Sequence, residues 1–302
     1  MTRLESTAQL GRILLTVALV VHGEAASSGA RSIEVTEITP NVLVFATSAG
    51  NVVACAGPDG AVLVGTPSVS STQEISRALA TRTRSPLRYV VVFPEGPARS
   101  EGDAGWGRRG AFVAMQENAL ETLGGHRMGS PGPLPTRLLD LKADRPRVAF
   151  SEVLTFDLNG EAIHVVHQPP GYSNADAVAH FHVANLIYLG EVFPGDGYPE
   201  IDAAHGGDLN GLVKQLVWTG AATHIVPARG KPTTGADVAA FRDMIVTVRE
   251  RIRHMIDRGF TEDQTIAAHP TAEFDTRWGR GRLGAEAFTG EVYEALKKSG
   301  TK

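Results

Sequence analysis

The chain has little of what most directly announces a function. It carries one cysteine, Cys55, in 302 residues. That excludes an internal disulfide framework, and the apolar setting "NVVACAG" reads as a small buried thiol. An excess of positive charge is also missing: 29 basic and 33 acidic residues, well mixed, give a formal net charge of −4, so no basic footprint points to nucleic acid. The apolar run "ILLTVALVV", Ile13 to Val21, is only nine residues long, too short to span a bilayer comfortably.

What is there fits a globular enzyme-sized domain. With 42% apolar and 21% charged residues, the chain can bury a sizeable core without staples. Arg3 and Arg12 precede the apolar run, and "HGEAASSGA" after it offers small residues for cleavage near Ala25 or Ala26. Residues 1–25 are therefore expected to be a secretory signal, placing the mature protein in the periplasm or outside the cell, with no membrane association once the leader is removed. No cysteine near that point could carry a lipid.

From residue 33 the pattern is strand-rich and then mixed. "SIEVTEI", "NVLVFAT", "NVVACAG" and "AVLVGTP" alternate or run apolar over strand lengths, with the turn "PDG" before the last. Ser70 to Thr83 has helical periodicity, and "LRYVVVF" (Leu87 to Phe93) is a continuous apolar strand of the kind buried on both faces. "AFVAM" reads as a strand, and Gly124 to Arg137 as an irregular surface segment. The second half mixes strands and helices in the same way. "EAIHVVHQ" and "AVAHFHV" are strands, "NLIYLGEVF" and "THIVPARGKP" are strands ending in loops, and "GGDLNGLVKQLVW" is a helix. That helix serves equally well to cover a sheet or to meet a second subunit. Helical patterns over Val238 to Arg258 and Ala285 to Lys297 close the chain. The expectation is a single domain over 33–302, two packed sheets with helices outside.

Five landmarks in order carry a resemblance to a known family. "FPEGPARSEGD" with "WGRRGAFVAMQEN", "PPGYSNAD", Gly190-Glu191, the turn "PARG" at Pro227 to Gly230, and the tail "AAHPTAEFDTRWGRG" fall in register with the metallo-β-lactamase superfamily, and the chain resembles its bacterial metallohydrolase branch. The resemblance implies an α+β fold, a four-layer αβ/βα sandwich, and a zinc-dependent hydrolase site. The same register puts Pro94, Gly96, Ala98, Arg99, Tyr172, Glu191 and Arg229 on the seven ligand positions. Gly65, in "LVGTP", also departs from an acidic residue often found there.

Those residues are the wrong chemistry for zinc. A catalytic zinc needs about three protein ligands with imidazole, thiolate or carboxylate lone pairs. Pro, Gly and Ala side chains offer none, and arginine is all donors and cationic. Only Glu191 and, weakly, Tyr172 carry a usable oxygen. Zinc lowers the pKa of bound water from about 15.7 to about 7, on the order of 12 kcal/mol in hydroxide availability. A general base recovers only about 10²–10⁴-fold. The expectation is thus no zinc cofactor and no metal-dependent hydrolysis, with a binding or interaction role in its place. The competing reading is a residual hydrolase of esters, lactams or thioesters using a rebuilt site.

Candidates for a rebuilt site are thin. His180 and His182 lie two apart on one strand face, with His164 and His167 on the preceding strand. Glu95, Glu101 and Asp103 crowd one loop where a hard cation could bind. Ser173 has no glycine-flanked elbow, and His205 opens a helix. The pair Arg99 and Arg229 is more specific, since both are expected to project toward the emptied cavity with Glu191 between them. Two outcomes follow. Either guanidinium and carboxylate form an internal ionic plug, or surplus positive charge captures a small carboxylate or phosphate, with Tyr172 and Ser173 as hydrogen-bond partners.

Overall fold

The computed structural model describes residues 33–65, 69–93, 106–107, 109–122, 148–217 and 222–299. The leader, the irregular segment 124–137, the loop with Glu95, Glu101 and Asp103, and four of the ligand positions (Pro94, Gly96, Ala98 and Arg99) lie outside them. Residues 32–302 form one compact unit.

Two sheets face each other. The first has seven strands in chain order: β1 (Glu34–Thr39), β2 (Val42–Thr47), β3 (Gly50–Gly57), β4 (Gly60–Val64), β5 (Leu87–Val91), β6 (Phe112–Gln116) and β7 (Val148–Phe150). β1 to β4 are antiparallel hairpin neighbours, and β4 to β7 pair in parallel. The parallel pairing of β4 with β5 follows from the crossover through α1 (Val69–Ala80), which a two-residue turn could not provide. The second sheet runs β12 (His224–Pro227), β11 (Leu186–Gly190), β10 (Ala177–Phe181), β9 (Glu161–His167) and β8 (Val153–Leu158). β8 to β11 are antiparallel, and β12 joins β11 in parallel.

Strand alternation sorts the side chains into layers. Val62 and Val64 of β4 and Ile163 and Val165 of β9 point between the sheets into one core with Val44, Phe181 and Tyr188. Ala61 and Leu63 point the other way, onto Ile75 and Leu79 of α1. Val178, Ile187 and Leu189 pack outward against α4 (Gly235–Asp257) and α7 (Ala285–Ser299). In α4 the buried residues Val238, Phe241, Ile245, Val248 and Ile252 recur at helical spacing and form one stripe. The result is the four-layer αβ/βα arrangement. Among the described residues, no helix is long and apolar enough to cross a membrane.

Several elements differ from the sequence expectation, which lacks β7 and the short helices as well as differing in the helix and the strand that follow. The helix expected over 206–218 is the shorter α3 (Leu209–Gln215), because the Asp208 side chain accepts from Gly211 N at 2.7 Å and caps the helix there. β8 is absent from that expectation, although Leu154, Phe156 and Leu158 face the core and alternate with Thr155 and Asp157 as a half-buried edge strand does. Short helices α2 (Glu117–Thr122), α5 (Glu262–Ala267) and α6 (Asp275–Trp278) complete the described set.

Candidate functional site

β9, β11 and β12 deliver three loops to one edge of the second sheet, and these loops hold Tyr172, Glu191 and Arg229. The first loop is built around Asp176. Its carboxylate accepts from Gly171 N (3.1 Å), Tyr172 N (2.7 Å), Ser173 N (2.8 Å), Ser173 Oγ (3.0 Å) and Gln215 Nε2 (2.9 Å). Burial pushes the Asp176 carboxyl up to about 6, against the pull of these donors. The donor set fixes the loop's shape and holds the Tyr172 backbone in place.

The second and third loops are bonded to each other. Ala228 N donates to Phe193 O and Arg229 N to Pro194 O, both at 3.0 Å. Asn51, 3% exposed at the start of β3, donates to Pro227 O (2.9 Å) and Gly230 O (2.8 Å) and ties the turn to the first sheet. Gly195 has φ +83°, and a Cβ there would overlap the Arg229 carbonyl oxygen. The close approach of the two loops therefore requires glycine.

This approach lets Arg229 span two carboxylates. Nη1 donates to Glu191 Oε1 at 2.6 Å, and Nε lies 3.1 Å from each oxygen of Asp196. Burial alone would lower the Arg229 pKa; its bonds to Glu191 and Asp196 outweigh that and hold it above its ordinary value. A second fork, Arg282 Nε and Nη2 to Glu200 at 3.0 and 2.8 Å, lies close enough to feel both Glu191 and Arg229. Asp202 binds His205 Nδ1 at 2.6 Å. Tyr172 sits among these groups, 6% exposed. Burial and then Glu191, Asp202 and Glu200 push its phenol up to about 12, so it is neutral at physiological pH.

Nothing in the sequence singles out Asp196, Glu200 and Arg282. Asp196 is five residues beyond Glu191 in "GEVFPGD", and Gly195 beside it is the one local sign of a tight turn aimed back at the site. Arg282 arrives from the far C-terminal segment, and no short-range spacing marks it.

The three described positions, Tyr172, Glu191 and Arg229, do not suit zinc. One oxygen of Glu191 is occupied by a guanidinium at 2.6 Å, and a cation bound there would face that positive charge. Tyr172 is a protonated phenol rather than an anionic ligand. Gly65 has φ +112°, and a Cβ would meet Asn51 O at 2.8 Å and Tyr188 Oη at 3.1 Å, so an acidic side chain has no room there. Among the described residues, no group of three or more His, Cys, Asp or Glu side chains could hold a metal ion.

The remaining candidates are placed as follows. Ser173 is 2% exposed, gives its proton to Asp176 and accepts from Ala175 N at 3.1 Å, leaving no proton for a ligand. His164, His180 and His182 do converge, on the outer face of the second sheet. Their ring centroids are 4.4 Å (164 to 182) and 4.0 Å (180 to 182) apart, and His182 Nε2 lies 3.0 Å from His164 Nδ1. His167 points elsewhere, its Nε2 3.0 Å from Asn174 O. His205 belongs to a single 3₁₀ turn capped by Asp202.

A two-sheet αβ/βα sandwich with its loops gathered at one edge is the architecture of the metallo-β-lactamase fold, and the solved structures agree. The chain is similar to a metallo-β-lactamase from Pontibacter korlensis, at 17% identity and a TM-score of 0.55, over 71% of this chain and 99% of that one. It is similar to the metallo-β-lactamase IND-7 at 15% identity and a TM-score of 0.56, over 72% and 100%. A variant of the sec-alkyl sulfatase PisA1 matches at 14% identity and a TM-score of 0.65, over 87% of this chain and 50% of that one. No family model and no curated protein matches the sequence. At such identities the likeness is one of fold.

Proposed function

We propose that this chain is a non-hydrolytic member of the metallo-β-lactamase fold. In this reading an ionic network stands where the fold's zinc centre lies, and the protein works by binding. The supporting observation is the Arg229 clamp on Glu191 and Asp196. Tyr172, Glu191 and Arg229, with Pro94, Gly96, Ala98 and Arg99, are taken as the former ligand positions. The metal's structural charge is replaced by guanidinium, which cannot lower the pKa of a water as a Lewis acid does.

The same geometry favours the plug over the anion trap. Three carboxylates (Glu191, Asp196, Glu200) pair with two guanidinium groups (Arg229, Arg282), and a fourth, Asp202, pairs with His205. Arg229 is neutralised twice over, so it has no surplus charge to offer an anion. Export through the 1–25 leader is part of the proposal, and puts the protein in the periplasm or outside the cell.

The test is turnover. Purified protein, with and without added zinc, is assayed on a cephalosporin, a p-nitrophenyl ester and a thioester. The expected result is hydrolysis at the buffer rate in every case. Zinc-stimulated hydrolysis abolished by a chelator would establish the rebuilt-site hydrolase in its place.

A further inference from the structure

A concavity lies at the opposite end of the first sheet from Tyr172, Glu191 and Arg229. It has a volume of about 490 Å³ and opens beneath the C-terminal half of α1, where β4 and β5 begin. Leu79, Leu87 and Ala111 give it an apolar lining, and Trp106 walls it on one side. The size is that of a small-molecule site, about 300–1,000 Å³, in which a few polar groups set orientation against an apolar lining.

Among the described residues its charged groups are of one sign. Ser76, Thr83 and Ser85 spend their hydroxyl protons on Thr72 O, Gly57 O and Pro58 O, each at 2.7 Å. Among the described residues no Asp or Glu lines the cavity, whereas Arg84 and Arg109 both do. Arg84 is exposed and makes no ion pair among the described residues. The Arg109 guanidinium lies 5.8 Å from the centre of the Trp106 ring, held over a flat face. Trp106 is 1% exposed, and its indole N–H is buried with no acceptor among the described residues. A cavity lined by an exposed arginine, with no acidic group among the described residues, is complementary to a small negative acceptor with an apolar body.

We propose that this cavity binds a small carboxylate with an apolar body. The carboxylate meets Arg84, and the body lies against Leu79 and Trp106. This site is independent of the Arg229 network and of any reading of it.

The experiment is calorimetric titration of the full-length protein with benzoate, benzamide and inorganic phosphate. Benzoate is expected to bind saturably with a dissociation constant below about 1 mM, and benzamide at least about tenfold more weakly because it lacks the charge that Arg84 reads. Arg84→Ala should weaken benzoate by about tenfold, while Arg77→Ala, an exposed arginine of α1 outside the cavity, should leave it within about twofold. Ala80→Phe, at the exposed rim, should abolish binding with the fold intact by circular dichroism. No benzoate binding by the folded wild type overturns the proposal. So does benzamide binding as well as benzoate, phosphate binding as tightly as benzoate, or equal effects of the two arginine substitutions.

Discussion

Arg229 and Glu191 meet at 2.6 Å where two parallel strands of the second sheet end side by side, with the Glu191 side chain 4% exposed and that of Arg229 14% exposed. A carboxylate this buried depends on its partner. Taking one member away leaves a desolvated charge, whereas replacing both with neutral groups of similar shape does not. The pair is therefore a device whose energetics can be read by substitution.

Arg229→Ala should destabilise the protein by about 3 kcal/mol in urea unfolding, the lower end of the range for breaking a buried pair, since the guanidinium keeps some solvent contact. Arg229→Met combined with Glu191→Gln should recover most of that loss. A single-variant cost below about 0.5 kcal/mol would mean that the pair behaves as a surface contact.

Gly195→Ala should cost about 2 kcal/mol or more, because the new Cβ meets the Arg229 carbonyl at a left-handed backbone position. Thermal unfolding measures it. Gly259→Ala, at φ +82° with nothing near its Cβ, isolates the cost of the backbone conformation alone, and Gly195→Ala should exceed it.

Asp176 carries a pH signature. Its folded-state pKa of about 6 lies above the ordinary value of 3.8, so the folded protein takes up a proton more readily than the unfolded chain. Its contribution to stability is fully present below about pH 4 and is lost as pH rises to about 6. Carboxyl NMR titration of the folded protein should find one aspartate with its midpoint near 6. Asp176→Asn, which turns an amide against several donors, should cost about 2 kcal/mol at neutral pH.

Cys55 is fully buried, and burial pushes its thiol up to about 11. A disulfide-forming thiol reagent at pH 8 should leave the folded protein unmodified and titrate one thiol in denaturant, because the thiolate is the reactive form. Rapid native-state labelling would show that this strand opens readily.

Much of the fold is legible in the sequence. "NVVACAG" is apolar over its length because it lies in the middle of a sheet covered on both faces, "LRYVVVF" is so from Val90 onward while Arg88 is exposed, and α4 announces itself through a stripe running most of its 23 residues. β8 is legible by the same rule, since Leu154, Phe156 and Leu158 alternate with Thr155 and Asp157, yet it is missing from the expected strands. The site is half legible. The mismatch of Tyr172, Glu191 and Arg229 with metal chemistry follows from residue type alone, and so does the expectation of an arginine beside Glu191. The second carboxylate on Arg229, the Arg282 fork and the acid-rich balance of charge depend on loops brought together from distant parts of the chain. So does the convergence of His164 with His180 and His182, which cross-strand register sets by pairing His164 opposite His180.

The most direct measurement is zinc content after incubation with excess zinc chloride and gel filtration, on wild type and Glu191→Gln. An arginine-clamped carboxylate predicts less than about 0.2 equivalents in both. One or two equivalents retained by the wild type and lost in Glu191→Gln would contradict it, because Glu191 would then be holding an ion rather than a guanidinium.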